Sequence, residues 1–577
     1  MSLRVRWLGR VDYSDALALQ RSLATTTAQD YLLLLEHPHT YTMGVRADAA
    51  NILVDPHDVG ARLVRADRGG DVTYHGPGQL VGYPILTLAD HAAGEMPSTR
   101  AHVLNIEHLV IEALADLGLP GASVIEGAPG VWLDADGPRP RKIAAVGVKI
   151  SRGRTMHGFA INVDPDPAMF GHIVPCGITD KAVTSLRSEG VDVTMRQVVD
   201  AIVARAAVRF GHGDGGGAGR DVDRADVVWR TSSTDADLAP FSRGEGAGTA
   251  VRYSSNTTQS DGTSLRLLGR LAEAGVSERV SITEPKPDWM RAKVRLDADV
   301  LRVRSTLRDA GLVTVCEEAG CPNLSECWSD GTATFMLCGE RCTRACGFCL
   351  VDTSKPLPLD VDEPAKVAQA VADMGLRFAV LTMVARDDLE DGGAAHVAAT
   401  IDAIHALGSA ASPGPSVEAL ISDLRGDDRA LDVVFASRPE VLNHNIETVA
   451  RLQRAVRPSA SYARSLSVLA RAKAAGLTTK SGFVAGMGET FDEVVQTLAD
   501  LASIGVEIVT IGQYLRPTSH HLPVERWWTP TDFAEWKRIG EELGIGHVES
   551  SPLTRSSYHA RSAAEGVAAT PVAIGAG

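Results

Sequence analysis

No run of 18 or more apolar residues occurs in the 577-residue chain, which excludes a transmembrane helix. Positive charge is also in short supply: 57 Lys and Arg stand against 72 Asp and Glu, a net charge of −15. So acidic a chain lacks the electrostatic footprint of a general nucleic-acid binder. The opening MSLRVRWLGRVDYSDAL has neither a charged-then-apolar signal pattern nor the Arg/Ser-rich character of a transit peptide. The expectation is a cytoplasmic protein. Cysteine is absent from most of the length. Cys176 stands alone, and the other seven, Cys316, Cys321, Cys327, Cys338, Cys342, Cys346 and Cys349, are crowded together. Without a secretory signal, such crowding points to metal or redox chemistry and away from a disulfide framework.

Composition is otherwise that of folded protein, 44% hydrophobic and 22% charged, and the length predicts about three or four domains. Residues 1–212 read as a mixed α/β domain. There YLLLLEH (31–37) and LVGYPILTL (80–88) predict strands. In AHVLNIEHLVIEALADLG (101–118), Val103, Ile106, Val110, Ile111 and Leu114 recur at three- and four-residue steps, the stripe of an amphipathic helix. Residues 213–263 are rich in Gly, Ser, Thr and Asp and too poor in apolar residues to offset their ordering entropy. They predict a linker spanning on the order of 40 Å, with a short docked piece around VVWRT (227–231).

Residues 264–577 form the second domain. Strand-like TFMLC (334–338), FAVLTM (378–383), VEALI (417–421), VVFAS (433–437), KSGFVAG (480–486) and EIVTIGQYL (507–515) alternate with helices such as EPAKVAQAVADMG (363–375). That alternation predicts βαβ units and an incomplete (β/α)6 barrel, with its chemistry at the C-terminal ends of the strands. The final AAEGVAATPVAIGAG (563–577) predicts a mobile tail.

Cys342-Thr-Arg-Ala-Cys346-Gly-Phe-Cys349 places three thiols just after a predicted strand. A [4Fe–4S] cluster normally takes four cysteines, so three leave one iron open to a small molecule. A structural zinc site favours paired CxxC spacing and a closed four-ligand shell instead. The CxxxCxxC pattern resembles the radical S-adenosylmethionine (SAM) superfamily, which implies SAM held at the open iron and cleaved to a carbon radical. Upstream, CEEAGCPNLSECW (316–328) supplies Cys316, Cys321 and Cys327. With RDDLEDGGA (386–394), HNIETVARLQRAVRP (444–458), TKSGFVAGMGET (479–490), TIGQYLRPT (510–518) and RSSYHA (555–560), the chain from about Pro285 to Arg561 resembles lipoyl synthase. That resemblance implies a second, auxiliary [4Fe–4S] cluster on Cys316, Cys321 and Cys327, consumed as the sulfur donor. In the family a serine of the RSSY motif completes it, Ser556 by position, with Ser557 the alternative. Cys338, in an apolar strand, reads as core. Two segments depart from the family: Met383 and Ala385 replace polar residues, and SDLRGD (422–427) stands where the family has PDFRGD.

Cys176 lies in IVPCGI (173–178), and residues 139–154 carry six basic side chains and no acid. A nearby ammonium favours the nucleophilic thiolate. Together with RGGDVTYHGPGQLVGYP (68–84) and KIAAVGVKISRGRTMHGFAINV (142–163), this resembles lipoyl(octanoyl) transferase, with a fold of the biotin/lipoyl-ligase type. The resemblance implies Cys176 as nucleophile and Lys142 as the residue that lowers its pKa and shuttles protons, with octanoyl passing from acyl carrier protein to a lipoyl-domain lysine. It also implies substrate contacts at Arg68, Gly69, Gly70, Asp71, Val72, Thr73, Tyr74 and His75, at Ala145, Val146 and Gly147, and at Gly158, Phe159 and Ala160. His75 reads either as an accessory acid/base or as a structural hydrogen bonder. The GGD at 69–71 reads either as a close approach to the acyl chain or as a tight turn. The basic stretch predicts a docking patch for acidic carrier domains.

The implied partners are acyl carrier protein, the lipoyl domains of 2-oxoacid dehydrogenase E2 or glycine-cleavage H protein, and a low-potential electron donor. Neither nucleic acid nor membrane is expected. The alternatives are an ATP-dependent lipoate ligase at the N-terminus, or an iron–sulfur scaffold without turnover at the C-terminus.

Overall fold

Between Asp30 and Glu36 the chain reads DYLLLLE, and every residue of it is buried. An apolar run without alternation is a strand covered on both faces. This strand organises the first of two units, residues 1–250 and 251–577, into which the computed structural model divides. The structure describes residues 3–88, 98–174, 182–210, 222–224, 265–276, 285–290, 323, 327, 332–409 and 414–569.

The first unit contains β1 (Leu3–Arg10), α1 (Tyr13–Thr26), β2 (Asp30–Glu36), β3 (Thr40–Met43), β4 (Arg62–Arg65), β5 (Val72–His75) and β6 (Gln79–Ile85). It continues with α2 (Thr99–Asp116), β7 (Ser123–Ile125), β8 (Ala128–Leu133), β9 (Arg141–Ser151), β10 (Arg154–Asn162), β11 (Ala182–Val183), α3 (Met195–Arg209) and β12 (Val222–Arg224). The main sheet runs β12-β1-β2-β6-β10-β9-β8-β7, with β11 beside β9, and β4-β3-β5 form a small second sheet. Ile106, Leu109, Val110 and Leu114 of α2 and Val198, Val199, Ile202 and Val203 of α3 share one core with Leu3, Val5, Leu32 and Leu34 of the sheet. Each such fully buried aliphatic side chain contributes roughly 1.5–3 kcal/mol. A capping box at Thr194 and Gln197 starts α3. β12 falls inside the stretch read as linker: Val222, Asp223 and Arg224 pair in parallel with Leu3, Arg4 and Val5. The docked piece expected at 227–231 lies outside the described residues.

The second unit contains α4 (Leu265–Glu273), β13 (Thr332–Leu337), α5 (Glu363–Asp373), β14 (Phe378–Met383), α6 (Ala394–His405), β15 (Ser416–Leu420), α7 (Asp428–Ala436) and β16 (Val441–Asn443). There follow α8 (Tyr462–Ala474), β17 (Thr478–Ala485), α9 (Phe491–Ser503), β18 (Ile508–Gln513), α10 (Pro530–Glu542), β19 (His547–Ser550) and α11 (Ala560–Ala569). Strands β13 to β19 pair in chain order, each parallel to the next. This is the open, helix-wrapped parallel sheet expected of an incomplete barrel.

Two expectations fail in this unit. VVFAS (433–437) is helix and not strand. Asp427 caps α7 by accepting from Ala430 N, and Ala430, Leu431, Val434 and Phe435 are buried at helical spacing. The fourth strand is instead the three-residue β16. The tail expected to be mobile begins as the second half of α11, in which Ala563 is buried; residues 570–577 lie outside the described ones. Ala379 and Leu381 of β14 face the helices, whereas Phe378 and Val380 face the other way and cluster with Val441, Ile508, Ala560 and Ala563. Strand alternation therefore places α11 on the inner face of the sheet.

Candidate active sites

Lys142 is an inward-turned cation in the first unit. β9 pairs it with Trp132 of β8 on one side and Val183 of β11 on the other. Its side chain is buried. Nζ donates to Pro129 O at 3.1 Å and sits 4.6 Å from the centre of the Trp132 ring, a cation–π contact strengthened by exclusion of water. Glu107 reaches the same region from α2 and accepts from Gly130 N at 2.7 Å. Burial pushes the Glu107 carboxyl up, while that bond and the Lys142 charge pull it down. Gly130, at φ +127°, is what lets the strand close over the lysine: a Cβ there would stand 2.5 Å from Ala144 O and 3.2 Å from Lys142 Cε.

A line of hydrogen bonds joins this lysine's strand to His75. Thr184 N donates to Lys142 O at 2.9 Å. Asn162 Nδ2 donates to Thr184 O at 2.9 Å, and Gln79 Nε2 donates to Asn162 Oδ1 at 2.9 Å and to Tyr74 O at 3.2 Å. With its amide nitrogen so engaged, Gln79 turns Oε1 to His75 Nδ1 at 2.8 Å. Nδ1 therefore carries the hydrogen and Nε2 the lone pair. Burial holds the His75 ring neutral, its pKa well below the usual value, with His37 and Arg68 lowering it further.

The remaining expected contacts divide by function. Arg68 donates to Thr42 O at 2.8 Å, Thr42 Oγ1 at 2.7 Å and Gly69 O at 3.0 Å. Gly69 N bonds Val148 O at 3.0 Å. Asp71 accepts from Asn51 Nδ2 at 2.7 Å, from Val72 N at 2.7 Å and from Asp48 N at 3.2 Å, the pattern of a residue that ties a turn together. Val72, Thr73 and Tyr74 lie on β5, where Tyr74 is hydrogen-bonded to His39 Nδ1 at 2.7 Å. The two short motifs on the hairpin lie rung to rung: Gly158 opposite Gly147, Phe159 opposite Val146, Ala160 opposite Ala145. Gly158 makes room for the neighbouring strand, since a Cβ would meet Gly82 O at 2.2 Å. Its lack of a side chain serves strand packing.

The basic stretch is not an open positive patch. Arg141 pairs with Glu189, Lys149 with Asp67 and Arg154 with Asp30, and Lys142 is buried. Only Arg139 and Arg152 of the six are exposed. Alternating strand geometry sends consecutive charges to different partners, which no count of basic residues reveals. Cys176 lies outside the described residues. Its described flanks are Val174, whose N bonds Asn51 O at 2.8 Å, and β11 beside Lys142.

In the second unit the loop after β13 carries Cys342, Cys346 and Cys349, none of them in a disulfide. It is clamped from several sides. Cys342 N bonds Asp352 O at 2.8 Å, Gly347 N bonds Val456 O at 2.8 Å, and Thr343 N and Oγ1 both reach Ala385 O at 2.9 Å. Arg344, between the first two cysteines, is buried. It pairs with Asp387 through two bonds of 2.8 Å and with Asp423 at 2.6 Å. Burial pushes the Cys349 thiol up to about 12 and raises that of Cys346, and the neighbouring thiols push both further. Among the described residues no three His, Cys, Asp or Glu side chains converge as for a single metal ion. Three soft thiol donors on one clamped loop are the donor set that suits iron in a [4Fe–4S] cluster.

The departures from the family pattern leave this loop intact. Met383 follows Ala379 and Leu381 on the outer face of β14 and packs into the helix-covered core. Ala385 holds Thr343 through its backbone carbonyl, and Asp423 supplies its carboxylate to Arg344. Cys338 is in the core, 1% exposed, with its thiol pushed up to about 12 by burial.

Cys316 and Cys321 lie outside the described residues. Cys327 is buried, and its N bonds Asn323 O at 3.0 Å. Asn323 Nδ2 in turn reaches Leu553 O at 2.7 Å, which ties that stretch to the segment carrying Ser556. Ser556 Oγ accepts from Asn443 Nδ2 at 2.9 Å and donates to Asn445 Oδ1 at 3.3 Å, at the C-terminal end of β16. Gln79, Asn162, Thr184, Glu107, Asn443 and Asn445 were not singled out from sequence. In the first unit Gln79, Asn162 and Thr184 meet through strand pairing and Glu107 comes from α2, while in the second unit Asn443 and Asn445 meet Ser556; Gln79, four residues after His75, had a local signal.

Comparison with known proteins agrees with this division. Residues 12–207 match the lipoyl protein ligase A/B catalytic domain, and residues 336–501 match the radical SAM superfamily. Lipoyl synthase of Rubrobacter xylanophilus is 53% identical over 48% of this chain and 87% of its own length. That of Kineococcus radiotolerans is 50% identical over 51% and 86%, and that of Mycolicibacterium paratuberculosis 51% identical over 51% and 93%. Among solved structures, a bipartite lipoate protein ligase from Thermoplasma acidophilum is 20% identical over 36% of this chain and 84% of that one, at a TM-score of 0.31. The chain thus belongs, through its C-terminal unit, to the lipoyl synthase family of radical SAM enzymes, and carries a lipoyl protein ligase A/B catalytic domain at its N-terminus.

Proposed function

We propose that the chain builds the lipoyl group on its carrier protein in two steps. In the first, the Cys176 thiolate attacks the thioester carbonyl of octanoyl-acyl carrier protein and releases the carrier's thiol. A lipoyl-domain lysine amine then attacks the Cys176 thioester, forming the amide and returning the thiol. Lys142 supports this reading: a buried lysine amine that takes the Cys176 proton leaves an ammonium beside the thiolate, and that ammonium can hand the proton to the carrier's departing thiolate. The neutral His75, with Nδ1–H committed to Gln79, has a lone pair on Nε2 for the proton that the attacking lysine loses.

The second step is insertion of sulfur at C6 and C8 of the octanoyl chain. Its supporting observation is the clamped loop of Cys342, Cys346 and Cys349, which would hold one [4Fe–4S] cluster. Cys316, Cys321, Cys327 and Ser556 would hold the other. When bound, the clusters and SAM supply hydrogen-abstracting radical chemistry and the donated sulfur. The chain's own part is to fix the loop through Arg344, Asp387 and Asp423 and to wall the site with the barrel.

The N-terminal domain model is shared by ligases and transferases, so the source of the acyl group is the point to test. The full chain is mixed with octanoyl-acyl carrier protein without ATP and its intact mass followed. An octanoyl adduct that the Cys176→Ser variant does not form is expected. Lipoyl-domain acylation from free octanoate that depends on ATP, with no adduct on Cys176, would assign a ligase instead.

A further inference from the structure

Inside the barrel of the second unit, three adjacent strands each contribute a polar side chain where apolar ones would pack. Glu418 of β15, Asn443 of β16 and Lys480 of β17 are all 0% exposed. Lys480 Nζ lies 2.8 Å from Glu418 Oε2, and Asn443 Nδ2 donates to Glu418 Oε1 at 2.7 Å. The other hydrogen of that nitrogen goes to Ser556 Oγ at 2.9 Å. Asn443 Oδ1 is buried and makes no hydrogen bond among the described residues.

We propose that Asn443 is the positioning residue for Ser556 as a cluster ligand, and that the buried Glu418–Lys480 pair fixes Asn443 in its donating orientation. The inference rests on the placement of Ser556 among the auxiliary-cluster ligands made above. An ionised carboxylate only accepts hydrogen bonds. Turning the Asn443 amide over would set Oδ1 against Oε1 in a water-free interior and remove the donor from Ser556. The amide therefore has one allowed orientation, and in it both hydrogens are used. The orphaned Oδ1 is the cost of that arrangement, an unpaired buried acceptor of the kind that folding alone disfavours. Serine is otherwise a mobile ligand, with a hydroxyl free to rotate. Here Oγ accepts from Asn443 Nδ2, a bond that a deprotonated Oγ keeps, whereas the bond it donates to Asn445 Oδ1 belongs to the protonated hydroxyl and is given up on coordination.

The test uses the full chain with Cys342, Cys346 and Cys349 replaced by alanine, so that only the auxiliary cluster is reconstituted. Iron content, the electron paramagnetic resonance spectrum and the rate of iron loss to a chelator are measured. Ser556→Ala is expected to change the spectrum and speed iron loss about 10-fold. Asn443→Ala is expected to do the same, with the double variant no worse than either single one. A second route avoids dependence on Asn443→Ala folding: Glu418→Gln with Lys480→Met removes both charges at similar volume and should shift the spectrum in the same direction. If Ser556→Ala alters the cluster while Asn443→Ala and the Glu418/Lys480 variant leave it as in the parent, the inference is overturned. If Ser556→Ala itself changes nothing, the ligand assignment fails first.

Discussion

The buried histidines of the first unit show how far burial sets chemistry at single residues, and Lys142 is the residue whose charge the proposed acyl transfer uses. Replacing Lys142 by methionine keeps the volume and the contact with Trp132 while deleting the ammonium. Acyl transfer should fall by about 10²–10⁴-fold with little change in thermal stability, as stopped assays with octanoyl-acyl carrier protein and a melting curve would show. A transfer rate within twofold of the parent would remove Lys142 from the mechanism. Burial also lowers His37 and His102 to about 4, below the value of about 6.5 in an unfolded chain. Between those values the unfolded chain binds a proton that the folded chain refuses. Stability is therefore complete above about pH 6.5 and declines as pH falls toward 4, by up to roughly 3 kcal/mol for each histidine. Urea denaturation of the full chain at pH 7 and 4.5 measures this, and His102→Leu should flatten the dependence. An unchanged pH slope would show that His102 is not responsible. At this scale Cys342, Cys346 and Cys349 were legible as one contiguous motif, and the structure places them together on the loop after β13. Asn162 and Thr184 were not legible, because their segments meet Gln79 only after the sheet forms.

Among secondary elements, the misreading of α7 is instructive. VVFAS is rich in β-branched and aromatic residues, so local preference favours a strand. Burial of Ala430, Leu431, Val434 and Phe435 along one helical stripe, with the Asp427 cap, overrides it. β16 has only three residues and carries no period to detect. The C-terminal helix was misjudged for another reason. Its alanines and glycine look weakly hydrophobic, yet Ala560 and Ala563 are small enough to enter the inner face beside Phe378, Val380, Val441 and Ile508. Ala563→Glu should then cost about 2 kcal/mol or more by burying an unpaired charge, read as an earlier unfolding transition of the C-terminal unit. An unaltered transition would mean that α11 does not pack on the sheet.

As a whole molecule, the chain joins two units whose expected chemistries are consecutive, the product of one being the substrate of the other. A tether of the expected kind raises the local concentration of the second site toward the mM range when it can span the distance. The division into an N-terminal α/β unit and a C-terminal parallel sheet was legible from composition and strand–helix alternation. The pairing of Val222–Arg224 with β1 was not, because one valine and two charged residues next to a Gly-rich stretch carry no strand signal. The central claim is that both units act on one lipoyl domain. Its most direct test is the intact mass of an apo-lipoyl domain incubated with the anaerobically reconstituted chain, octanoyl-acyl carrier protein, SAM and a low-potential reductant. The account predicts a lipoyl domain carrying the octanoyl group with two sulfurs added. A domain that stops at the octanoyl adduct, with both clusters verified as loaded, would contradict it.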